Sequence, residues 1–123
     1  MSLKRLYHSF RYAIHGIWAA FVSQHNMRVH GLIGLGAIFL SYVLGLTALE
    51  WAVLFLAIAL IIGLELVNTA LETTLDFISR EQHPEIGLAK DVAAGAVLWA
   101  ALWSVFVGMA LWGERLGLLL GIF

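Results

Sequence analysis

Residues 51–76 read WAVLFLAIALIIGLELVNTALETTLD, and the first fourteen of these positions carry no charge. The next twelve positions hold four polar groups that are able to take part in chemistry: Glu65, Asn68, Glu72 and Asp76. No proline or glycine interrupts the chain between Glu65 and Arg80, and so one helix is predicted over about 49–81. Such a helix is roughly 50 Å long, well beyond the ~30 Å of hydrocarbon in a bilayer. The stretch therefore predicts a membrane-spanning helix that carries polar groups where it leaves the membrane.

The composition of the whole chain also indicates a membrane protein. Of its 123 residues, 62% are hydrophobic and only 12% are charged, against about 25% charged in ordinary soluble domains. The net charge of -1 gives no broad basic surface, so no nucleic-acid partner is expected. The absence of cysteine excludes disulfides and thiolate metal sites. We predict an all-α integral membrane fold with a single domain over 1–123.

Two further spans flank the first stretch. Residues 31–49 give nineteen consecutive uncharged positions, and residues 92–113 give twenty-two. These runs predict spanning helices over about 29–48 and 88–113. Pro84 and Gly87 predict a turn between the second and third spans.

An amphipathic helix is predicted over about 3–22. Its apolar residues recur at spacings of three and four, and most of its cationic residues fall between them: Leu3, Leu6, Tyr7, Phe10, Ile14, Ile17, Trp18 and Phe21 are apolar, and Lys4, Arg5, His8, Arg11 and His15 are basic. This pattern suits a helix that lies in the headgroup region of a membrane. Packing against the spanning helices is an alternative, and the two are compatible.

The positions of lysine and arginine predict the orientation. Six of the seven lie before the first span or between the second and third: Lys4, Arg5, Arg11, Arg28, Arg80 and Lys90. Cytoplasmic segments carry an excess of these residues, so we expect the N-terminus and the loop between the second and third helices to be cytoplasmic. Arg115 should then face the opposite side of the membrane.

The four polar groups of the second span form one stripe. At 3.6 residues per turn, positions 65, 68, 72 and 76 fall within a sector of about 80°. Clustered carboxylates and an amide oxygen with limited access to water suit a hard cation, Mg²⁺ in particular. For Glu72 and Asp76, the alternative is that they are ordinary solvated charges. A carboxylate without a function is less expected at Glu65, because this residue directly follows the apolar run.

Lys90 and Asp91 lie at the start of the third span, where a helix N-terminus attracts anions such as phosphate. A lysine that only extends to the membrane interface is the alternative for Lys90. The sequence has no GxxxxGK[ST] loop and no HRD or DFG motif, which excludes the soluble kinase folds. The five histidines show no HExxH spacing and are not predicted to bind zinc.

These motifs resemble a known family. ELVNTALE at 65–72 followed by Asp76, with AKDVAAGA at 89–96, resembles the signature of the small prokaryotic membrane lipid kinases, the diacylglycerol kinase and undecaprenol kinase family. FRYAIHGI at 10–17 and NMRVH at 26–30 extend the resemblance over nearly the whole chain.

The resemblance implies a homotrimer in the bacterial inner membrane that transfers the γ-phosphoryl group of MgATP to a lipid hydroxyl, with active sites shared between neighbouring subunits. It implies that Glu65 is the general base and that Glu72 is a metal ligand. It also implies lipid- or nucleotide-site roles for five further residues: Arg5, Asn68, Asp76, Lys90 and Asp91.

One position departs from the family pattern. The family commonly carries a second metal-binding glutamate at position 24, where this chain has Gln24, which keeps an oxygen ligand and loses a charge. The motifs NMRVH, NTALE and AKDVAAGAV resemble those of the undecaprenol kinase branch more than those of the diacylglycerol kinase branch. A small carboxylate-lined cation channel or transporter and a non-catalytic membrane scaffold stay as alternative functions.

Overall fold

The computed structural model describes residues 2–81 and 83–123, and the regular structure in these ranges is helical. Four helices follow one another along the chain: α1 (Leu3–Ser23), α2 (His25–Leu44), α3 (Ala48–Ile78) and α4 (Pro84–Leu119). Helices α2, α3 and α4 are long and apolar enough to cross a membrane. The prediction of three helices able to span a membrane, in an all-helical chain, is confirmed.

Local sequence explains where the helices begin and end. The Ser2 hydroxyl accepts a hydrogen bond from the backbone N–H of Arg5 at the start of α1. Thr47 and Glu50 form a reciprocal capping box at the start of α3. Gly45 ends α2 with φ of 72°, a left-handed conformation that glycine adopts without the steric cost of a side chain. Pro84 occupies the first turn of α4, where its missing N–H leaves no helical hydrogen bond unmade.

The helix bounds differ from the sequence expectations at several ends. Helix α3 begins at Ala48 and ends at Ile78, three residues before the expected end at 81. Helix α4 begins at Pro84 and continues to Leu119, so that it extends beyond the expected 88–113 at both ends. Pro84 accordingly lies in the first turn of α4 and not in a loop that precedes it.

Helices α2, α3 and α4 pack into a bundle, with the most extensive contact between α3 and α4. The buried apolar side chains are few: Ala20, Met27, Leu54, Val97, Ala100 and Leu111. Gly34 of α2 lies against Ile58 of α3, where an added Cβ would come within 3.3 Å of the isoleucine Cγ2 atom. A small residue at such a crossing lets two membrane helices approach closely.

Side-chain bonds join the three spanning helices at one end of the bundle, which we call the Arg115 end. The guanidinium of Arg115 in α4 donates hydrogen bonds of 3.0 Å and 2.9 Å to the two carboxylate oxygens of Glu50 in α3. One turn deeper, the indole N–H of Trp112 donates to the hydroxyl of the fully buried Ser41 in α2 at 2.9 Å. Glu50 and Arg115, which are far apart in the sequence, are thus partners. The opposite end, which holds the α3–α4 connection, is called the Lys90 end below.

Helix α1 lies largely outside the bundle. Apart from the half-buried His8, every residue from Leu3 to Ala19 is exposed, and Ala20 is the first buried one. The helix contacts both α2 and α3, and Phe21 in its last turn lies against Gly31 of α2. A single extended residue, Gln24, separates its end from the start of α2.

Candidate active site

The polar stripe lies on an uninterrupted part of α3, so its four members share one face of that helix. Exposure increases along the stripe: Glu65 is 2% exposed, Asn68 is half-buried, and Glu72 and Asp76 are exposed. Measured along the helix axis, Glu72 is about 10 Å and Asp76 about 16 Å from Glu65. The stripe therefore leads from the protein interior at Glu65 to the surface at the Lys90 end.

The threonines of this segment bond to their own helix and not to the stripe. The hydroxyl of Thr69 donates to the carbonyl of Glu65, and the hydroxyl of Thr73 donates to the carbonyl of Thr69, each at 2.8 Å. Such bonds satisfy a hydroxyl within a helix that crosses an apolar phase. The threonine hydroxyls therefore do not occupy the stripe carboxylates.

Glu65 is the one ionisable side chain that is buried among the described residues. Its carboxylate makes no hydrogen bond or ion pair with them, in contrast to buried Ser41, which accepts from Trp112. No fully enclosed side-chain oxygen or nitrogen of the described residues lacks a partner, and so the small exposed part of Glu65 includes its carboxylate oxygens. Burying a carboxylate without a partner is costly, which makes a functional role the usual explanation.

The exposed end of the stripe takes part in an ion pair between α3 and α4. The ammonium group of Lys90 in α4 contacts a carboxylate oxygen of Asp76 in α3. The Lys90 side chain is 33% exposed and that of Asp76 is 57% exposed, so both still reach solvent. Asp91 is exposed beside Lys90, on a different face of α4 because successive helical residues are about 100° apart.

A cavity of about 580 Å³ adjoins this ion pair. Its volume falls within the range of about 300–1,000 Å³ that small-molecule sites have. Nine residues from the end of α3, the connection and the start of α4 line it: Asp76, Ser79, Arg80, Glu81, His83, Pro84, Ile86, Gly87 and Lys90. Two cationic side chains, Arg80 and Lys90, thus face one cavity together with the carboxylates of Asp76 and Glu81.

The described residues do not form a ready-made metal site. No group of three histidine, aspartate or glutamate side chains converges among them. Glu72 is exposed on α3, and Gln24 is half-buried at the junction of α1 and α2. A magnesium ion held by Glu72 would take most of its other ligands from water and substrate phosphate, because Mg²⁺ usually keeps several waters and binds only one or two carboxylates.

The remaining candidate, Arg5, makes no side-chain hydrogen bond or ion pair with the stripe. It is exposed in the first turn of α1, and its guanidinium has no hydrogen bond or ion pair to a described residue. The structure thus brings Asp76 and Lys90 into contact, whereas it shows no contact that joins Arg5, Gln24 or Asp91 to them.

The sequence interpretation missed the cavity wall that follows α3. Ser79, Arg80 and His83 line the cavity, whereas the sequence places Ser79 and Arg80 in the last turn of the predicted helix and assigns none of the three to the site. The sequence did hold a clue to this cavity: Arg80 and Lys90, both cationic, lie on either side of a short predicted turn. Two helices joined by a short connection are antiparallel neighbours, which brings such positions together.

Sequence comparisons match this chain to one family of known proteins. The family model described as prokaryotic diacylglycerol kinase matches residues 11–112, which include every candidate residue except Arg5. The undecaprenol kinase of Bacillus subtilis is 35% identical over 114 residues, 93% of each chain. The diacylglycerol kinase of Synechocystis is 46% identical over 101 residues, which are 81% of this chain and 58% of that relative. The diacylglycerol kinase of Escherichia coli K12 is 29% identical over 106 residues, 86% of this chain and 87% of that relative.

Proposed function

This chain belongs to the prokaryotic diacylglycerol kinase family and is a membrane lipid kinase that uses ATP, and we propose that its acceptor is undecaprenol in preference to diacylglycerol. The alignment with the Bacillus undecaprenol kinase supports this preference because it covers almost all of both chains. The match to the Synechocystis diacylglycerol kinase has the higher identity, but it leaves about two fifths of that relative unmatched. The motif sequences at 26–30 and 89–97 favour undecaprenol as well.

The observation that carries the proposed chemistry is the carboxylate of Glu65, a residue that is 2% exposed and has no side-chain partner among the described residues. We assign Glu65 as the general base that takes the proton of the lipid hydroxyl as its oxygen attacks the γ-phosphorus of ATP. The bond between that phosphorus and ADP breaks, and the products are the lipid phosphate, ADP and one proton. Its burial beside the apolar part of α3 suits a hydroxyl that arrives from the bilayer, and Asn68, one turn along, is proposed to donate a hydrogen bond that orients a reacting group.

The nucleotide is proposed to bind at the Lys90 end. Phosphoryl transfer depends chiefly on positioning and on neutralising negative charge, which cations beside a cavity supply. Lys90 is proposed to contact the phosphates while Asp76 holds its ammonium group in place, and Asp91 to contact the nucleotide. Arg5 of α1 is proposed to approach the phosphates from outside the stripe.

A magnesium ion is proposed to accompany the nucleotide. Glu72 would hold it, with Gln24 as a weaker oxygen ligand, and the bound ion would offset the negative charge of the phosphates. Glu72 lies between Glu65 and Asp76 along α3. If the lipid hydroxyl binds at one end of the stripe and the nucleotide at the other, the phosphates lie beside Glu72.

Assembly and orientation are also proposals. We propose a homotrimer with shared active sites in the bacterial inner membrane, with α1 lying along the cytoplasmic surface and the Lys90 end in the cytoplasm. The exposure of apolar side chains on α1, such as Phe10 at 62% and Trp18 at 68%, is consistent with a helix that meets lipid or another subunit. The bias of lysine and arginine toward the N-terminus and the α3–α4 connection supports the orientation.

The test is phosphorylation by purified protein in lipid bilayers with radiolabelled ATP, undecaprenol or diacylglycerol, and with or without Mg²⁺. The proposal expects labelled undecaprenyl phosphate at a higher kcat/KM than labelled phosphatidate, and no product without a divalent cation. A higher kcat/KM for diacylglycerol would contradict the acceptor preference. Phosphorylation of neither lipid would favour a channel, a transporter or a scaffold, which a cation flux assay on the same vesicles separates.

A further inference from the structure

Arg28 of α2 reaches back to the end of α1. Its Nη1 atom donates a hydrogen bond of 3.1 Å to the carbonyl of Phe21 and one of 2.7 Å to the carbonyl of Val22. Both carbonyls belong to the last turn of α1, whose acceptors have no partner within the helix itself. Arg28 thus caps a helix that is not its own.

The placement of this cation is better explained by α1 than by α2. A positive charge near the N-terminus of a helix is unfavourable, and Arg28 lies three residues after the start of α2 at His25. The C-terminus of a helix favours a cation, but the last turn of α1 has no basic residue of its own. By turning its guanidinium toward the α1 carbonyls, Arg28 supplies the charge that α1 lacks.

Little else fixes the direction of α1. The helix is exposed almost throughout, and one extended residue, Gln24, joins it to α2 without a side-chain cap. Ala20 is buried at this junction, and the ring of Phe21 lies over Gly31, where an added Cβ would meet the ring at 2.9 Å. A junction of one residue permits many angles between two helices, and so the angle depends on these contacts.

We propose that Arg28 is a positioning residue of the lipid kinase: by capping α1 it sets the angle between α1 and α2, and thereby holds Gln24 and Arg5 where the reaction needs them. The proposal rests on the proposed function, because Gln24 and Arg5 matter only if the nucleotide and its metal bind near them. Arg28 itself touches neither the substrates nor the reacting atoms in this view. A direct contact between Arg28 and a phosphate is the competing role.

The test uses a spin label that reports the position of α1 independently of activity. Because the sequence has no cysteine, Ala13→Cys places a single label on the exposed part of α1. Its line shape and its accessibility to oxygen and to a nickel relaxation agent give its mobility and its depth in the bilayer. Turnover, the KM for MgATP and thermal unfolding are measured on the same samples with Arg28, Arg28→Ala and Arg28→Lys, and with Arg11→Ala as a control that removes an exposed arginine of α1.

We expect Arg28→Ala to change the depth and mobility of the label and to lower kcat/KM for MgATP by about tenfold or more, since small errors in placement are costly in catalysis. Arg28→Lys, whose ammonium group can also donate to both carbonyls, should recover most of both signals, and Arg11→Ala should change neither. If Arg28→Ala does not fold, Arg28→Gln, which keeps a shorter donor, is measured in its place.

Three results would overturn the proposal. Lost turnover with an unmoved label would assign Arg28 to substrate contact or to general stability. A moved label with unchanged kcat/KM would show that the angle of α1 does not matter for the reaction, and no change in either would show that the cap is dispensable. Failure of the unmodified protein to phosphorylate either lipid would instead contradict the proposed function, and the label would still report whether Arg28 holds α1.

Discussion

Replacing Glu65 with glutamine separates the chemistry of this side chain from its burial. The two side chains have nearly the same shape, so the change removes the charge and the ability to accept a proton while it keeps the packing. A general base contributes about 10²–10⁴-fold to a rate, which corresponds to about 3–5 kcal/mol of the barrier. We expect kcat of Glu65→Gln to fall by that factor.

The free energy of unfolding of Glu65→Gln should not fall together with its activity. Glu65 is 2% exposed and its carboxylate has no partner among the described residues. The amide of glutamine has nearly the same shape as the carboxylate and carries no charge, and so the substitution leaves no cavity and adds no buried charge. Glu65→Gln should therefore fold at least as well as the unmodified protein, which is the usual relation between a functional group and the stability that it costs.

The assay measures turnover at saturating MgATP and lipid, together with unfolding in sodium dodecyl sulfate followed by circular dichroism. Glu114→Gln is the matched control, because it makes the same change at an exposed glutamate near the Arg115 end and should alter neither quantity. Retention of more than about a tenth of the activity would refute the assignment of Glu65 as base. Loss of activity together with loss of the fold would mean that the buried carboxylate is structural.

Three further predictions concern the rest of the molecule. Lys90→Met should raise the KM for MgATP, and because Asp76 acts through Lys90 in the proposed site, adding Asp76→Asn should cost less than the sum of the two single changes. Gln24→Glu should lower the Mg²⁺ concentration that gives half-maximal activity, because it adds a charged oxygen ligand. Ser41→Ala should leave the indole N–H of Trp112 without its acceptor and lower the free energy of unfolding by about 1–3 kcal/mol, with both KM values unchanged.

Each of these has a contradicting result. Additive effects on KM would mean that Asp76 and Lys90 act independently despite their contact. An unchanged Mg²⁺ requirement in titrations of Gln24→Glu would remove position 24 from the metal site. Unchanged unfolding of Ser41→Ala would mean that Trp112 finds another partner.

Much of the architecture could be read from the sequence because it depends on local and additive properties. The length of an apolar run decides whether a helix can cross a bilayer, and residues 31–49 and 92–113 meet that requirement without reference to any other part of the chain. Helical periodicity likewise places Glu65 and Asp76 on one face of α3, since the helix is unbroken between them.

The pairings between helices could not be read in this way. Glu50 and Arg115 are 65 positions apart, and Ser41 and Trp112 are 71 apart. An arginine in the last turns of a helix can extend to the membrane interface or pair with a carboxylate, and the sequence around Arg115 does not identify Glu50 as its partner. Which side chains meet depends on the rotation and stagger of whole helices, and these follow from the packing of many small contacts.

By itself, the sequence determined that this protein is a helical membrane protein, that its polar groups form one stripe, and that its motifs are those of a lipid kinase family, because hydrophobic length, helical period and motif spacing are all properties of a short stretch. The tertiary structure alone decided that Glu65 is buried while Asp76 is not, that Lys90 meets Asp76 beside a cavity, and that Arg28 caps α1. Burial and contacts between distant residues depend on how the helices pack around a position. The neighbouring sequence at that position therefore does not reveal them.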